Sequence, residues 1–403
     1  MPVPSVPPPQ RLAFKLKPAA ERQVKKRHPW VFEASIVKQN AEGRAGDLAV
    51  IFDQKKNKFL ACGLYDPHSP IRIKLLQFHR SATIDGAWLR DKIRAARDLR
   101  RPLLRTDTNS YRLVYGENDG LPGLIADVYD RVLVVKLYSA IWWPYWEWLL
   151  PALREASEAS SVVLRLSRHL QRQVGDTVRD GEVVYGELPA PRVRFREHGL
   201  WFSADVQRGH KTGYFLDHRH NRLRIGQRAA GKRVLDVFAY AGGFSVHALV
   251  GGAREVTSLD LSAPALEMAR QNAALNPHRG RHQILLGDAF ESLAELVATG
   301  QRYDIVVIDP PAFAKQASEV GGALEQYRRL AGWGAQLVAK DGLLLLASCS
   351  SRVSAEAFFV EVERGLQRSQ RKYQILERTY HDLDHPVRFA EGAYLKAIYF
   401  SLR

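Results

Sequence analysis

The chain of 403 residues is too long for one ordinary hydrophobic core, and its length predicts roughly two or three domains. A hydrophobic content of 46% is typical of a globular protein, and no run of about 18 apolar residues predicts a membrane span. Two cysteines exclude a disulfide framework and a cysteine-rich metal site, while a formal charge of +16 favours nucleic acid as a partner over a merely basic surface.

The first ten residues are rich in proline and lack the regions of a signal peptide, which predicts a disordered tail (residues 1–10) on a soluble cytoplasmic protein. Short strands separated by turns predict a small β-domain over residues 11–81. Its Trp30 and Phe32 follow a basic run, a pairing that suits RNA, but we expect both rings in the domain core. Cys62 lies within a strand and is expected to be a packed side chain.

Residues 82–190 are predicted to form a central α+β domain. It opens with a helix over residues 85–101, and strands on both sides of Asp130-Arg131 predict a hairpin. A second helix is expected to open at Trp142 and end near Ala156. One face of the first helix carries an arginine stripe that suits an RNA backbone and suits a solvated surface equally well; it consists of Arg90, Arg94, Arg97 and Arg101.

Strands alternate with helices over residues 191–403, which predicts an α/β fold with a mostly parallel sheet. The two strands that close the chain are expected to add antiparallel at a sheet edge. Ligands of such sheets bind at the carboxyl ends of the strands. Four strands end at or just before an acid, so we expect these acids to converge at one edge: Asp236, Asp260, Asp288 and Asp309.

A buried strand runs from Val234 into the Gly242-Gly243 turn and then a helix, which indicates a nucleotide-like cofactor. Asp236 at the strand end is expected to accept hydrogen bonds from it. Asp260 lies near the spacing at which an acid binds a ribose diol, and Asp288 could hold an adenine amino group. The complete Gly-x-Gly-x-x-Gly motif is absent, which disfavours a dehydrogenase.

Two further strand ends indicate the reaction. After Asp309, Pro310 and Pro311 predict a stiff turn that holds the carboxylate against a planar base, with Phe313 available for stacking. Cys349 lies at the end of the next strand, facing the same edge. This placement favours a functional thiol over a buried filler.

Several blocks together resemble the bacterial 23S ribosomal RNA 5-methylcytosine methyltransferases of the class I, S-adenosylmethionine-dependent group. They are Lys211–Arg222, Asp236–Ser245, Asp309–Lys315, Ser348-Cys349-Ser350 and Asp384-His385-Pro386-Val387. The resemblance implies an N-terminal PUA domain, a central domain of EEHEE type and a Rossmann-like methyltransferase domain. It also implies S-adenosyl-L-methionine as cofactor and 23S rRNA, naked or partly assembled, as partner. No membrane partner is expected. The oligomeric state is left open, and a homodimer is one possibility.

The same resemblance assigns roles to residues. It implies Cys349 as the nucleophile and Asp309 as a catalytic group at the N3 edge of the base, with no metal. The implied cofactor-binding residues are Phe215, Asp217, Arg219, Asp236, Phe238, Tyr240, Gly242, Gly243, Phe244, Asp260, Leu261, Ser262, Asp288, Ala289 and Asp309. The implied substrate-binding residues are Pro310, Pro311, Phe313 and Lys315.

The sequence departs from the family pattern in two places. Ser350-Ser351-Arg352 stands where many members have Ser-His-His, so no histidine can be assigned to activate the thiol, and Ala241 stands where threonine is common. Uridine C5 methylation, exocyclic N-methylation of rRNA and a non-catalytic RNA-binding protein remain alternatives, and the general base is unassigned.

Overall fold

The computed structural model describes residues 6–403, except for the side chain of Asp176. Its contacts define two compact units. The first contains the chain up to Arg196 together with Ala204–Leu216 and Leu383–Ala390, and the second contains Glu197–Ser203, Asp217–Asp382 and Glu391–Arg403. Of the predicted tail, residues 1–5 lie outside the described residues, and residues 6–10 carry no helix or strand. Within residues 6–403, no helix has the length and apolarity needed to cross a membrane.

The first unit begins with a small β-domain, as predicted. Its six-stranded sheet has the order β2-β6-β5-β4-β1-β3, in which only the β1/β4 pair is parallel among the pairings described. The elements are β1 (Arg11–Leu16), α1 (Pro18–Lys25), β2 (Trp30–Phe32), β3 (Ile36–Gln39), β4 (Leu48–Phe52), β5 (Phe59–Tyr65) and β6 (Ile71–Phe78).

The expected core positions in this domain are only partly correct. Val31 is buried, whereas Trp30 is half-buried and Phe32 is 46% exposed, so the prediction of Phe32 as a core residue is wrong. Alternate residues of a strand point to opposite faces, and Val31 takes the inward face of the short β2. Cys62 is buried, and burial raises the pKa of its thiol to about 11, as fits a packed side chain.

The rest of the first unit contains a five-stranded sheet of order β11-β10-β9-β8-β7. Its β8/β9 hairpin turns at Asp130, which has a φ of +54°, and confirms the predicted hairpin. The elements are α2 (Gly86–Leu104), β7 (Ser110–Tyr115), β8 (Leu124–Tyr129), β9 (Val132–Leu137), α3 (Trp146–Ser157), β10 (Ser161–Leu166), α4 (Arg168–Val174) and β11 (Glu182–Tyr185).

The two predicted helices of this region differ from the structure at their ends. Asp85 caps α2, and the helix extends to Leu104 with a proline in its last turn. The helix expected to open at Trp142 begins only at Trp146, because a 3-10 segment containing Pro144 precedes it. Three members of the arginine stripe form ion pairs with neighbouring acids, namely Arg94 with Asp91, Arg97 with Glu158 and Arg101 with Asp98.

The second unit is built on a seven-stranded sheet of order β16-β15-β14-β17-β18-β20-β19. Pairing is parallel from β16 to β18 and antiparallel for β20 and β19, which confirms the predicted sheet and its antiparallel edge. Two strands, β12 (Val193–Glu197) and β13 (Leu200–Ala204), precede this sheet in the chain. The strands of the sheet are β14 (Arg233–Val237), β15 (Glu255–Asp260), β16 (Arg281–Leu286), β17 (Tyr303–Ile308), β18 (Val338–Ser348), β19 (Tyr373–Thr379) and β20 (Lys396–Leu402).

Six helices accompany this sheet: α5 (Arg219–Arg228), α6 (Gly243–Val250), α7 (Ala263–Ala274), α8 (Ala289–Ala298), α9 (Val320–Leu337) and α10 (Ala355–Arg368). The register places Asp236 opposite Ser258 on one side and Val307 on the other. The acids at or near the carboxyl ends of β14, β15, β16 and β17 therefore lie along one edge of the sheet, as the sequence predicts.

Candidate active site

The turn between β14 and α6 is shaped by left-handed backbone at Phe238, Tyr240 and Gly242, whose φ angles are +63°, +48° and +75°. A Cβ added to Gly242 would lie 2.8 Å from the Cβ of Ala269. Glycine is therefore required by both conformation and space. The turn leads directly into the N-terminus of α6, where backbone N–H groups can approach a ligand.

Asp236 lies beneath this turn rather than at its surface. It is 1% exposed, and its Oδ2 accepts hydrogen bonds from the backbone N–H (3.0 Å) and the hydroxyl (2.6 Å) of Ser245. Burial raises the pKa of Asp236 to about 7, and the nearby carboxylates of Asp309 and Asp260 raise it further. Its carboxyl thus holds the protein's own turn, and direct contact with a cofactor stays a prediction.

Asp260 and Asp288 lie at the ends of neighbouring strands and are both half-buried. Asp260 accepts hydrogen bonds from the backbone N–H groups of Tyr240 and Ser262, each at 2.9 Å. Asp288 caps α8 through Oδ1, which accepts from Phe290 N at 2.8 Å. A carboxylate has about four acceptor sites, so both side chains can accept further bonds, as a ribose diol and an adenine amino group would require.

The other predicted cofactor residues occupy varied positions. Leu261 is 72% exposed, whereas Phe244 and Ala289 are buried. Asp217 and Arg219 are buried as well and contact protein groups, Asp217 through the Tyr394 hydroxyl at 2.6 Å. Arg219 forms ion pairs with Glu197 and Asp382. Ser262 caps α7, and Gly243 is the first residue of α6. In the first unit, the ring of Phe215 lies beneath the Lys211 ammonium. Their cofactor roles stay predictions.

Cys349 and Asp309 lie together, and His218 joins them. Cys349 Sγ is 3.6 Å from Asp309 Oδ1 and 3.8 Å from His218 Nε2, and the last two atoms are 3.3 Å apart. The histidine is buried, while Cys349 and Asp309 are half-buried. His218 is not among the residues predicted from sequence, because the family block Lys211–Arg222 contains it without indicating that its partner lies 131 residues away.

The charge state of His218 is controlled by opposing effects. Burial lowers its pKa, but the carboxylates of Asp309 and Asp217 together outweigh burial, so the pKa lies above its ordinary value. Cys349, His218 and Asp309 each offer a ligand atom, and these atoms lie within 4.8 Å of one another, which is close enough for a metal ion. However, a metal-bound histidine donates its other N–H to an acceptor, whereas His218 Nδ1 faces the Asn221 amide nitrogen at 3.0 Å. This contact favours proton chemistry.

The loop that carries Cys349 is held by buried hydrogen bonds. Lys396 Nζ donates to the carbonyls of Ser350, Val353 (2.6 Å) and Tyr394 (3.2 Å). Burial lowers the pKa of Lys396 to about 8, and the charge of Cys349 opposes this effect. The Ser350 hydroxyl donates to the Ala314 carbonyl at 3.2 Å, which ties this loop to the one that follows Asp309.

The predicted substrate residues differ in their exposure. Pro311 and Lys315 are exposed and Pro310 is buried. Phe313 is half-buried, with its ring 6.0 Å from that of Phe290 and 5.2 Å from that of Tyr327. Its observed partners are thus protein rings, and stacking on a target base stays a prediction.

Comparison with known proteins agrees with this geometry. Residues 112–401 match the family model described as S-adenosylmethionine-dependent methyltransferase, and residues 14–78 match a PUA-like domain. The chain is 43% identical to a ribosomal RNA large subunit methyltransferase of Deinococcus radiodurans, covering 97% of this chain and 98% of the relative. It is 36% identical to ribosomal RNA large subunit methyltransferase I of Klebsiella pneumoniae, covering 93% and 94%.

Solved structures support the fold. A SAM-dependent methyltransferase from Streptococcus mutans superposes with a TM-score of 0.81 at 20% identity, covering 96% of this chain and 99% of that one. The methyltransferase SMU.776, solved in complex with SAH, gives a TM-score of 0.82 at 20% identity, covering 97% and 100%. The glycine turn and the carboxylates of Asp260 and Asp288 suit S-adenosylmethionine, which is the cofactor of the matched family. The chain belongs to the S-adenosylmethionine-dependent methyltransferase family that includes these ribosomal RNA large subunit methyltransferases.

Proposed function

We propose that this enzyme methylates carbon 5 of a cytosine in 23S rRNA through a covalent adduct with Cys349. The observation that carries the proposal is the Cys349 thiol 3.6 Å from Asp309, at the sheet edge that also carries Asp260 and Asp288. The relatives named ribosomal RNA large subunit methyltransferases support the RNA substrate. An rRNA substrate supports a cytoplasmic location.

Carbon 5 of cytosine is a poor nucleophile, which explains the need for a thiol. Addition of the Cys349 thiolate forms a bond to carbon 6 and moves an electron pair to carbon 5, which becomes enamine-like and nucleophilic. S-adenosylmethionine supplies the electrophilic methyl group. A base then removes the carbon 5 proton, the bond between sulfur and carbon 6 breaks, and the electron pair returns to sulfur as thiolate.

The neighbouring side chains have distinct roles in this proposal. Asp309 hydrogen-bonds the N3 edge of the base and stabilises the adduct. His218 Nε2, at 3.8 Å from the sulfur, is within reach to donate to the thiolate. A free thiol has a pKa of about 8.5 and is only a few per cent ionised at neutral pH, so such a donor increases the reactive fraction. Lys396 holds the carbonyls of the cysteine loop.

Two alternative products use the same fold. Uridine C5 methylation would use the same thiol chemistry, whereas an exocyclic amino group carries its own lone pair and needs no thiol adduct. The position of Cys349 therefore favours carbon over nitrogen, and membership of an enzyme family counts against a non-catalytic RNA-binding protein. A paired target base would have to be flipped out at a cost of a few kcal/mol, which favours a loop or naked rRNA.

The decisive experiment combines product analysis with covalent trapping. Purified enzyme, S-adenosylmethionine and 23S rRNA are incubated, and the modified nucleoside is identified by mass spectrometry. We expect 5-methylcytidine from the wild type, none from Cys349→Ala and wild-type activity from Cys62→Ala, whose buried thiol lies on β5 in the first unit. RNA carrying 5-fluorocytosine should give a denaturant-stable adduct with the wild type only, since fluorine cannot leave as a proton does.

Each contrary result has a specific meaning. A fully active Cys349→Ala variant would exclude the covalent mechanism. 5-Methyluridine or N4-methylcytidine as product would replace the proposed base or atom. Retained binding of S-adenosylmethionine by Cys349→Ala, measured by calorimetry, is expected and separates loss of chemistry from loss of fold.

A further inference from the structure

Asn221 is fully buried in α5 and is held by two hydroxyl groups. Its Oδ1 accepts hydrogen bonds from the Thr379 hydroxyl and the Tyr399 hydroxyl, each at 2.9 Å. Burial holds the pKa of Tyr399 above its ordinary value, so its hydroxyl remains a donor. Within residues 6–403, neither hydroxyl has a second acceptor in the structure. Both hydroxyl hydrogens therefore need the amide oxygen of Asn221 as their acceptor, which fixes the orientation of the amide group.

This orientation turns the amide nitrogen of Asn221 toward His218. Nδ2 lies 3.0 Å from His218 Nδ1. An amide nitrogen only donates hydrogen bonds, so Nδ1 must accept and carries no proton in the neutral ring. The single proton of a neutral His218 is consequently on Nε2, the nitrogen that faces Asp309 Oδ1 at 3.3 Å and Cys349 Sγ at 3.8 Å.

A neutral His218 that already carries a proton on Nε2 cannot take the proton of the thiol. Asp309 Oδ1, at 3.6 Å from the sulfur, is the acceptor that remains in the group. We propose that Asn221 is a positioning residue that keeps His218 as an Nε2–H donor, so that the Cys349 proton passes to Asp309. The S–H bond breaks, an O–H bond forms on Asp309, and the electron pair stays on sulfur, where it accepts from Nε2–H.

This inference rests on the proposed function of Cys349 and extends it. The protonated Asp309 can donate its new proton to N3 of the target base, which makes carbon 6 more electrophilic. One side chain thereby connects the generation of the thiolate with the activation of the base.

The charged groups around His218 act in both directions. Asp309 and Asp217 raise its pKa, and Arg222 opposes them. A second proton would have to bind Nδ1, where the Asn221 amide already directs a hydrogen. The amide therefore restrains formation of the imidazolium that the two carboxylates favour.

The test is to locate the proton on His218 by NMR of the full chain labelled with 15N-histidine, with His218→Gln identifying the signal. We expect the neutral wild-type ring to be protonated on Nε2 and bare on Nδ1. Asn221→Asp places an acceptor at Nδ1, so we expect both nitrogens to be protonated at neutral pH and the pKa of His218 to rise by about one unit or more.

A second variant avoids changing Asn221 itself. Thr379→Val combined with Tyr399→Phe removes both hydroxyls, which frees the amide to turn and should populate the tautomer with the proton on Nδ1. Tyr145→Phe removes a buried hydroxyl that donates to the Gly46 carbonyl in the first unit, and it should leave His218 unchanged.

A neutral wild-type ring with its proton on Nδ1 would overturn the inference, as would an Asn221→Asp variant with unchanged tautomer and pKa. The NMR measurement needs neither RNA nor methyl transfer. A proton on Nδ1 would therefore contradict the tautomer assignment but not the proposed reaction. A different methylated product would contradict the proposed reaction but not the tautomer assignment.

Discussion

Replacement of Asp236 by asparagine tests whether the carboxyl beneath the glycine turn stays protonated near neutral pH. Burial raises its pKa from 3.8 to about 7. Because the folded-state pKa lies above the unfolded value, the unfolded chain loses this proton first, and the folded state is progressively destabilised as pH rises from about 4 to about 7. A shift of about three units corresponds to about 4 kcal/mol above the folded-state pKa.

Asparagine keeps an acceptor oxygen for the N–H and hydroxyl of Ser245 and has no proton to lose. Between about pH 5 and about pH 8, we expect the free energy of unfolding of the wild type to fall by about 3 kcal/mol relative to Asp236→Asn, measured by urea titration. The exposed control Asp98→Asn should show no such pH-dependent difference. If the difference between wild type and Asp236→Asn is the same at both pH values, the buried carboxyl is not held protonated and the reasoning fails.

Gly242→Ala should lower the melting temperature more than Gly231→Ala, because both positions have φ near +70° but only a Cβ at position 242 would lie within 2.8 Å of a neighbour. This overpacking should destabilise the fold by about 1 to 3 kcal/mol. Equal melting temperatures of the two variants would contradict the crowding at Gly242. Glu197→Gln removes the charge that accepts two hydrogen bonds of 2.7 Å from the buried Arg222, and it should lower the free energy of unfolding by about 3 to 5 kcal/mol in denaturant titrations. The control Glu267→Gln, at a half-buried position whose ion pair with Arg270 is open to solvent, should lower it by at most about 1 kcal/mol. Replacing the arginine stripe with glutamine should weaken RNA binding and reduce its salt dependence in filter-binding titrations; an unchanged slope would assign the stripe to a solvated face.

The strand ends of the second unit could be predicted because hydrophobic runs and acids are local signals. The parallel register then brings distant strand ends to one edge, and Asp309 and Cys349, which follow adjacent strands, lie 3.6 Å apart there. The prediction of Phe32 as a core residue is wrong because β2 buries Val31. Neighbouring residues of a strand point to opposite faces, so the Phe32 ring points outward. The burial of Asp236 could not be predicted, because a strand-end acid can face a ligand or its own turn.

His218, Asn221 and Lys396 were missed for a different reason. Each acts through a partner far away in the chain, and the identity of the partner depends on tertiary contacts that no local pattern records. His218 and Asn221 lie within the family block Lys211–Arg222, but the block gives no indication that a histidine would lie beside Cys349 or that an amide would determine its tautomer.

The two antiparallel strands that close the chain supply the groups that hold this site. The register pairs Ser348, the last residue of β18, with Lys396, the first residue of β20, so the lysine ammonium lies beneath the loop that carries Cys349. The same two strands supply Thr379 and Tyr399, the hydroxyls that orient Asn221. A parallel strand in this position would begin at the opposite end of the sheet and place its first side chain far from the loop. The antiparallel edge, which the sequence pattern indicated only as an addition to the sheet, is therefore what positions both the thiol and the histidine beside it.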